Sequence, residues 1–377
     1  MAPGGLFAEL TRVARAAGAE GTPEVLSDRA DGQVVRVGDL AVKAHPADTD
    51  LGALRARLRT AGGTPLRDIL VPPRTIHGDL LCVVHERPIT AWPYGIPVDP
   101  GDPDAAPWEQ SAALLAGLHR IAFTLDQSSE GSQHIGHPDR PPHSFPAAGA
   151  PARVHRAIAR LRAAHSHPAA TTAVLRAYDN LPALDAAPKT LVHGDFHLGQ
   201  LVRLPGGGPA EPPADVHSAG HHTAPKGPFR ARAPHTGPEP QCGGVPPHAA
   251  NDGQLRNSVP ARLVRTPEAG ENRWRLIDID DLGLGDPVWD LARPAGYFAA
   301  GILEPLAWQR FLDAYRLGEG PAVPPGGDEW AVLDVPARAV VVQAAALAVA
   351  KTAAAPDDID IALIDACVRM TALPYGG

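Results

Sequence analysis

Eight consecutive residues limit the fold more than anything else in the chain: His193-Gly194-Asp195-Phe196-His197-Leu198-Gly199-Gln200. If Asp195 and Gln200, five residues apart, are to face the same space, one short loop must carry both. Apolar runs flank it, TLV before and LVRL after, and read as short strands. A second acidic segment follows a third such run, RWRLIDID: Leu276-Ile277-Asp278-Ile279-Asp280-Asp281-Leu282-Gly283-Leu284-Gly285-Asp286-Pro287. Phosphoryl transfer uses this combination. It needs a carboxylate to orient the attacking hydroxyl and hard oxygen ligands to set Mg²⁺ against the phosphates.

In these two segments the chain resembles the aminoglycoside phosphotransferase family, whose relatives include choline kinases, maltokinases and fructosamine kinases. The family's H-G-D-x-H motif with a carboxamide three residues on is matched at 193–200, and its I-D followed by G-D-P-x-x-D-L-A is matched from Ile277 to Ala292. The resemblance implies an α+β, two-lobed protein-kinase-like fold, with a small β-rich lobe that binds ATP and a larger, mainly helical lobe. It implies Asp195 as the catalytic carboxylate, Gln200 and Asp278 as Mg²⁺ ligands, and a small molecule with a hydroxyl as acceptor. His193 would brace the loop, His197 would brace it or touch substrate, and Asp290 would be structural. The competing expectation is a pseudokinase, a nucleotide-dependent binding module.

Lys43, in LAVKAH, is the candidate phosphate-binding residue, because a lysine on the third strand of the small lobe reaches the α- and β-phosphates in this fold. Kinases pair that lysine with a helix Glu, yet no Glu lies between Lys43 and Glu86. Either Asp48 or Asp50 substitutes, or the ion pair is missing. Asp280 reads as a solvated loop carboxylate. The nucleotide-covering stretch from Asp28 to Gly38 lacks G-x-G-x-x-G, and adenine is expected at a hinge around His85 to Trp92. His77-Gly78-Asp79 repeats the tripeptide without the following His and Gln and reads as a turn.

Strand and turn signals place a three-stranded meander (EVLSDRA, QVVRV, LAVKAH) ahead of a helix bearing Leu51, Leu54 and Leu58, then two more strands, ILVPP and LLCVVHE. This is the 1–98 lobe. A Pro-rich connection, RPITAWPYGIPVDPGDP, leads into the 99–377 lobe, whose helical patterns begin with WEQSAALLAGLHRIA. Residues 205–272 are rich in Pro, Gly, Ala and His without apolar periodicity and read as a disordered insertion. The net charge of −8 excludes a chain built to bind nucleic acid and suits a cationic or neutral substrate slightly better. Cys82, Cys242 and Cys367 are too scattered for zinc or redox chemistry, so a cytoplasmic protein is expected. No membrane partner is expected either, since the apolar run from Ala339 to Ala350 is short and reads as a buried helix.

Overall fold

The computed structural model describes residues 3–29, 32–102, 105–121, 145–164, 167–184, 190–204, 274–351 and 356–372. Met1–Pro205 with Asn272–Gly377 forms one compact unit. The insertion expected at 205–272 lies outside the described residues, as do Cys242 and its surroundings.

The first half builds an antiparallel sheet in the order β1-β2-β3-β5-β4, from Pro23–Arg29 (β1), Gly32–Val37 (β2), Leu40–Ala44 (β3), Cys82–Val84 (β4) and Arg87–Pro93 (β5). Alternation in GQVVRV and LAVKA sends Val35, Val37, Leu40, Val42 and Ala44 to one face, where they pack with Leu10, Val13 and Ala14 of the first helix, Pro3–Ala16 (α1). Period-two geometry then forces Val34, Ala41 and Lys43 onto the other face. That face is the one toward the cleft described below. After β3 comes α2 (Leu51–Ala61), whose Asp50 cap accepts a hydrogen bond from the Ala53 amide at 2.9 Å.

Two expectations for this half need correction. ILVPP does not form a sheet strand: Leu70 makes an isolated parallel bridge to Leu276, with the Val71 amide donating to the Leu276 carbonyl at 2.9 Å. Pro72 and Pro73 supply no amides to continue a ladder, which ends the pairing there. The fifth strand is instead β5, drawn from the Pro-rich connection. It tolerates its prolines because they stand near its ends, Pro88 as second residue and Pro93 as last. His77-Gly78-Asp79 is a turn, with positive φ at His77 and Gly78 and a bridge from Ile76 to Asp79.

The second half is mainly helical: α3 (Trp108–His119), α4 (Ala150–Ala164), α5 (Pro168–Asp179), α6 (Val288–Ala299), α7 (Pro305–Leu317), α8 (Trp330–Ala350) and α9 (Asp358–Ala372). Short strands hold the two motif segments. β7 (Thr190–Val192) pairs with β10 (Gly283–Gly285), and β8 (Leu201–Arg203) lies between β6 (Ile96–Pro97) and β9 (Trp274–Leu276). By length and composition α8 could cross a membrane, yet 67% of its apolar window is buried, and it packs against α4, α6 and α9. The fold is thus α+β, a sheet-rich half followed by a helical one.

Candidate active site

The sheet's free face and the motif strands enclose a cleft of about 380 Å³. The sheet contributes Val34, Ala41 and Lys43, and the helical half contributes Gln200, Val202 and Asp278. Apolar walls with charge at one end fit a flat heterocycle carrying phosphates. The chain crosses between halves at Trp92 to Pro97, and Trp92, Tyr94 and Gly95 line the cleft. His85 and Glu86 do not take part in this crossing: both have positive φ in the turn between β4 and β5. The expected hinge is therefore displaced toward the C-terminus.

Lys43 finds carboxylates, but not the expected ones. Its ammonium donates to Asp278 Oδ1 and to Asp280 Oδ2, each at 2.8 Å. Asp50 is engaged as the cap of α2 and Asp48 is exposed, so neither is the partner. Asp280 is no solvated loop residue. Its other oxygen lies 3.3 Å from His45 Nδ1, while His45 Nε2 meets Thr90 Oγ1 at 2.9 Å, and Thr90 also accepts from Trp92 Nε1 at 3.0 Å. A neutral His45 protonated on Nδ1 satisfies this whole chain. Burial is the largest influence and opposes charge on Asp278 and Asp280, but Lys43, joined by His193 at Asp278 and by the His45 hydrogen bond at Asp280, holds both carboxyls below the ordinary range. Burial would lower the Lys43 pKa, yet the two carboxylates raise it above its usual value.

Asp278 sits two residues beyond β9 with φ of 63°, a left-handed conformation that Asp tolerates better than bulkier residues. This bend turns its carboxylate toward Gln200, whose amide donates to Oδ2 at 3.4 Å. The two segments are also joined through the backbone, with the Ile277 amide donating to the Gln200 carbonyl at 2.9 Å. Turning over the Gln200 side-chain amide would set its oxygen beside Asp278 as a hard oxygen pair, and Mg²⁺ takes one or two protein carboxylates with phosphate and water completing its shell. The Lys43 ammonium already lies between two carboxylates, so the donor set suits a cation.

Asp195 follows β7 in the other motif segment. Its side chain is 13% exposed and held by two guanidinium groups, Arg153 of α4 on Oδ2 at 2.7 Å and Arg293 of α6 on Oδ1 at 2.9 Å. Burial raises the Asp195 pKa above the ordinary carboxylate value even against these two arginines. Arg153 also grips Asp281, at 2.6 Å. Gly194 has φ of 84°, and a Cβ there would stand 2.2 Å from the Asp281 carbonyl oxygen, so only glycine fits.

The residues around Asp195 are fixed from behind. Asp290, fully buried in α6, accepts from the His193 amide at 2.6 Å, the Gly194 amide at 2.8 Å and His119 Nε2 at 2.9 Å. His119 Nδ1 in turn meets the Tyr315 hydroxyl at 2.8 Å. Burial opposes ionisation of Asp290, and the His119 hydrogen bond leads the interactions that keep its pKa low. His193 Nε2 lies 2.8 Å from the Ile277 carbonyl, tying the two motif segments together. His197 Nδ1 accepts from the Gly199 amide at 3.0 Å, and burial, aided by Arg293 and His193, pushes its pKa down to about 3. It is a neutral ring with its proton on Nε2.

All seven residues expected from the sequence are thus in two adjoining places, the cleft end at Lys43, Gln200 and Asp278 and the loop of His193, Asp195 and His197 anchored by Asp290. Sequence reasoning missed Arg153, Arg293, His119 and Tyr315. Only Arg293 carried a local signal, standing three residues past Asp290 on the same helix.

No protein-family model and no curated protein matches the sequence. Solved structures do match in fold. A choline/ethanolamine kinase family protein from Mesorhizobium loti superposes with a TM-score of 0.50 at 13% identity, over 99% of this chain and 96% of that one. A thermostable mutant of aminoglycoside phosphotransferase APH(4)-Ia superposes with a TM-score of 0.51 at 10% identity, over 98% of this chain and 100% of that one. Nearly end to end, then, the chain has the two-part, protein-kinase-like fold of these phosphotransferase structures.

Proposed function

We propose that the chain is a Mg²⁺- and ATP-dependent phosphotransferase of the aminoglycoside-phosphotransferase-like family, acting on a hydroxyl of a small molecule. The observation that carries this reading is the Lys43 ammonium bound to Asp278 and Asp280, with Gln200 beside Asp278, at the charged end of an apolar cleft. Asp278 and Gln200 would hold Mg²⁺, which when bound neutralises charge on the phosphates. Lys43 would bind the α- and β-phosphates, with Asp280 keeping its ammonium in place. Asp195 would orient the acceptor hydroxyl and take its proton as the new O–P bond forms, the bond between the β,γ-bridging oxygen and the γ-phosphorus breaks, and ADP leaves. A cytoplasmic setting fits the unpaired Cys82 and Cys367 thiols and the ATP supply.

The pseudokinase reading draws on one feature, the two arginines on Asp195, since a hydroxyl reaching that carboxylate must displace one of them. The missing helix Glu no longer favours it, because Asp280 supplies a carboxylate. Coupled measurement of ADP release with a panel of hydroxylated metabolites decides between the two. Turnover that Asp278→Ala abolishes together with Mg²⁺-ATP binding supports the phosphotransferase, whereas tight Mg²⁺-ATP binding without ADP release from any acceptor supports the binding module.

A further inference from the structure

Each oxygen of Asp195 faces a guanidinium group, Oδ2 that of Arg153 at 2.7 Å and Oδ1 that of Arg293 at 2.9 Å. The carboxylate is only 13% exposed, so these two groups fill much of the space from which a hydroxyl would approach it. What else each arginine holds decides which of them can yield. Arg153 is shared: its Nη1 donates to Asp281 Oδ2 at 2.6 Å while Nη2 holds Asp195. Arg293 makes no other hydrogen bond or ion pair among the described residues.

The cluster thus has two acids and two arginines, and one contact more than two pairs need. If Arg153 lets go of Asp195, each carboxylate still has an arginine, Arg293 on Asp195 and Arg153 on Asp281. If Arg293 lets go instead, Arg153 must serve both acids and a guanidinium only 23% exposed is left with none, the costlier arrangement for part-buried charge. Asp281 is a fixed post for the exchange. The Gly149 amide donates to its backbone carbonyl at 3.1 Å, and a Cβ on Gly149 would overlap its Oδ1, so the carboxylate lies flush against the start of α4, where negative charge is favoured. Arg153 Nε is buried and has no hydrogen-bond partner among the described residues, so the observed pose does not exhaust what this guanidinium can bind.

We propose, resting on the phosphotransferase reading, that Arg153 is a gate on Asp195: at rest it bridges Asp195 and Asp281, and it withdraws to Asp281 when the acceptor hydroxyl takes its place on Oδ2. Arg293 stays on Oδ1 and aims the carboxylate. Arg153 is then a positioning residue, acting through Asp195. An acceptor brings binding energy from the rest of its body to displace the arginine, and water brings none, so the same contact restrains hydrolysis of ATP.

The test is hydrolysis of Mg²⁺-ATP with water as the only acceptor, followed as ADP release. Water gives a proton to Asp195 as its oxygen bonds to the γ-phosphorus and the bond to the β,γ-bridging oxygen breaks, leaving ADP and phosphate. Arg153→Gln can still hydrogen-bond to Asp281 but frees Asp195, and should raise kcat for hydrolysis about fivefold or more at an unchanged KM for ATP. Arg293→Gln should not raise it, and adding Asp195→Asn to Arg153→Gln should remove the gain. Asp281→Asn weakens the alternative site, tightens Arg153 on Asp195 and should lower kcat about twofold or more; it carries the test if Arg153→Gln does not fold. Opposite signs from the two sides of one ion pair are not what a purely structural role produces. A folded Arg153→Gln without the gain, an equal gain in Arg293→Gln, or no fall in Asp281→Asn would overturn the gate. Acceptor turnover without these changes in hydrolysis refutes the gate alone, whereas failure of the wild type to bind Mg²⁺-ATP refutes the phosphotransferase.

Discussion

Replacing Asp280 by Asn removes both the charge and the acceptor that face Lys43 while keeping an acceptor for His45. The Asn carbonyl can still accept from His45 Nδ1, so the link through Thr90 to Trp92 survives while the negative charge 2.8 Å from Lys43 is lost. Lys43 and Asp280 are 21% and 37% exposed, which puts the pair between two regimes. Fully exposed pairs contribute at most about 1 kcal/mol, and hydrogen bonds between charged groups up to about 3 kcal/mol. A value of about 1 to 2 kcal/mol follows, or roughly a 5- to 30-fold change. Under the proposed function Asp278 serves Mg²⁺, leaving Asp280 to hold the ammonium, so the effect belongs in nucleotide affinity. Asp280→Asn should raise the KM for ATP by that factor, and a double-mutant cycle with Lys43→Met should return most of it as coupling. Asp48→Ala and Asp50→Ala should show none. If Asp280→Asn leaves the KM for ATP and the coupling near zero while Asp50→Ala changes them, the assigned partner is wrong.

Asp195→Asn should lower kcat on the order of 10²-fold with a far smaller effect on the KM for ATP, read in steady-state kinetics. Because burial raises the Asp195 pKa, the acid limb of the wild-type rate profile should lie above the ordinary carboxylate pKa of about 4, and a limb at or below it would contradict the assignment. Asp290→Asn sets an amide N–H against one of three donors and should cost about 2 to 3 kcal/mol in chemical denaturation, with the loss of activity following the loss of fold. Asp278, Asp280 and Asp290 have lowered pKa values, so their contribution is present above the unfolded value near about 4 and fades as pH falls through the lower folded values, whereas ionised Asp195 works in the opposite sense; melting temperature should fall on acidification below about pH 4. β8 and β9 end side by side, Arg203 opposite Trp274, so deleting Gly206–Glu271 and joining the ends with a short Gly/Ser turn should preserve cooperative unfolding and Mg²⁺-ATP binding.

What the sequence revealed and what it hid divide along a physical line. The meander was legible because alternation in GQVVRV and LAVKA is a local signal; Lys43 was named for its place on the third strand of the resembled fold, and the parity that buries Val42 and Ala44 sends it to the cleft. The two motif segments were legible because each packs several chemical groups into one short stretch. β5 was not, because prolines that usually break a strand sit here near its ends, and no local rule says on which side of a strand end a proline will fall.

The hidden part of the site is made of pairs distant in sequence. Lys43 and Asp280 are separated by 237 positions, His119 and Asp290 by 171, and Arg293 and Asp195 by 98. Nothing in the neighbourhood of either member announces the other. Kinase geometry suggested a partner for Lys43 on the next helix, yet Asp50 is needed to cap that helix and cannot also turn to the cleft. Asp280 was in plain view, two residues past Asp278, where an extended backbone would place both carboxylates on one side. Position 278 is left-handed and not extended, and both carboxylates still reach one ammonium. The lysine's counter-charge thus comes from the loop after β9 and not from the helix after β3. The same segment carries Asp281, which holds Arg153 against Asp195, so a shift of this loop would disturb the surroundings of Lys43 and of Asp195 together.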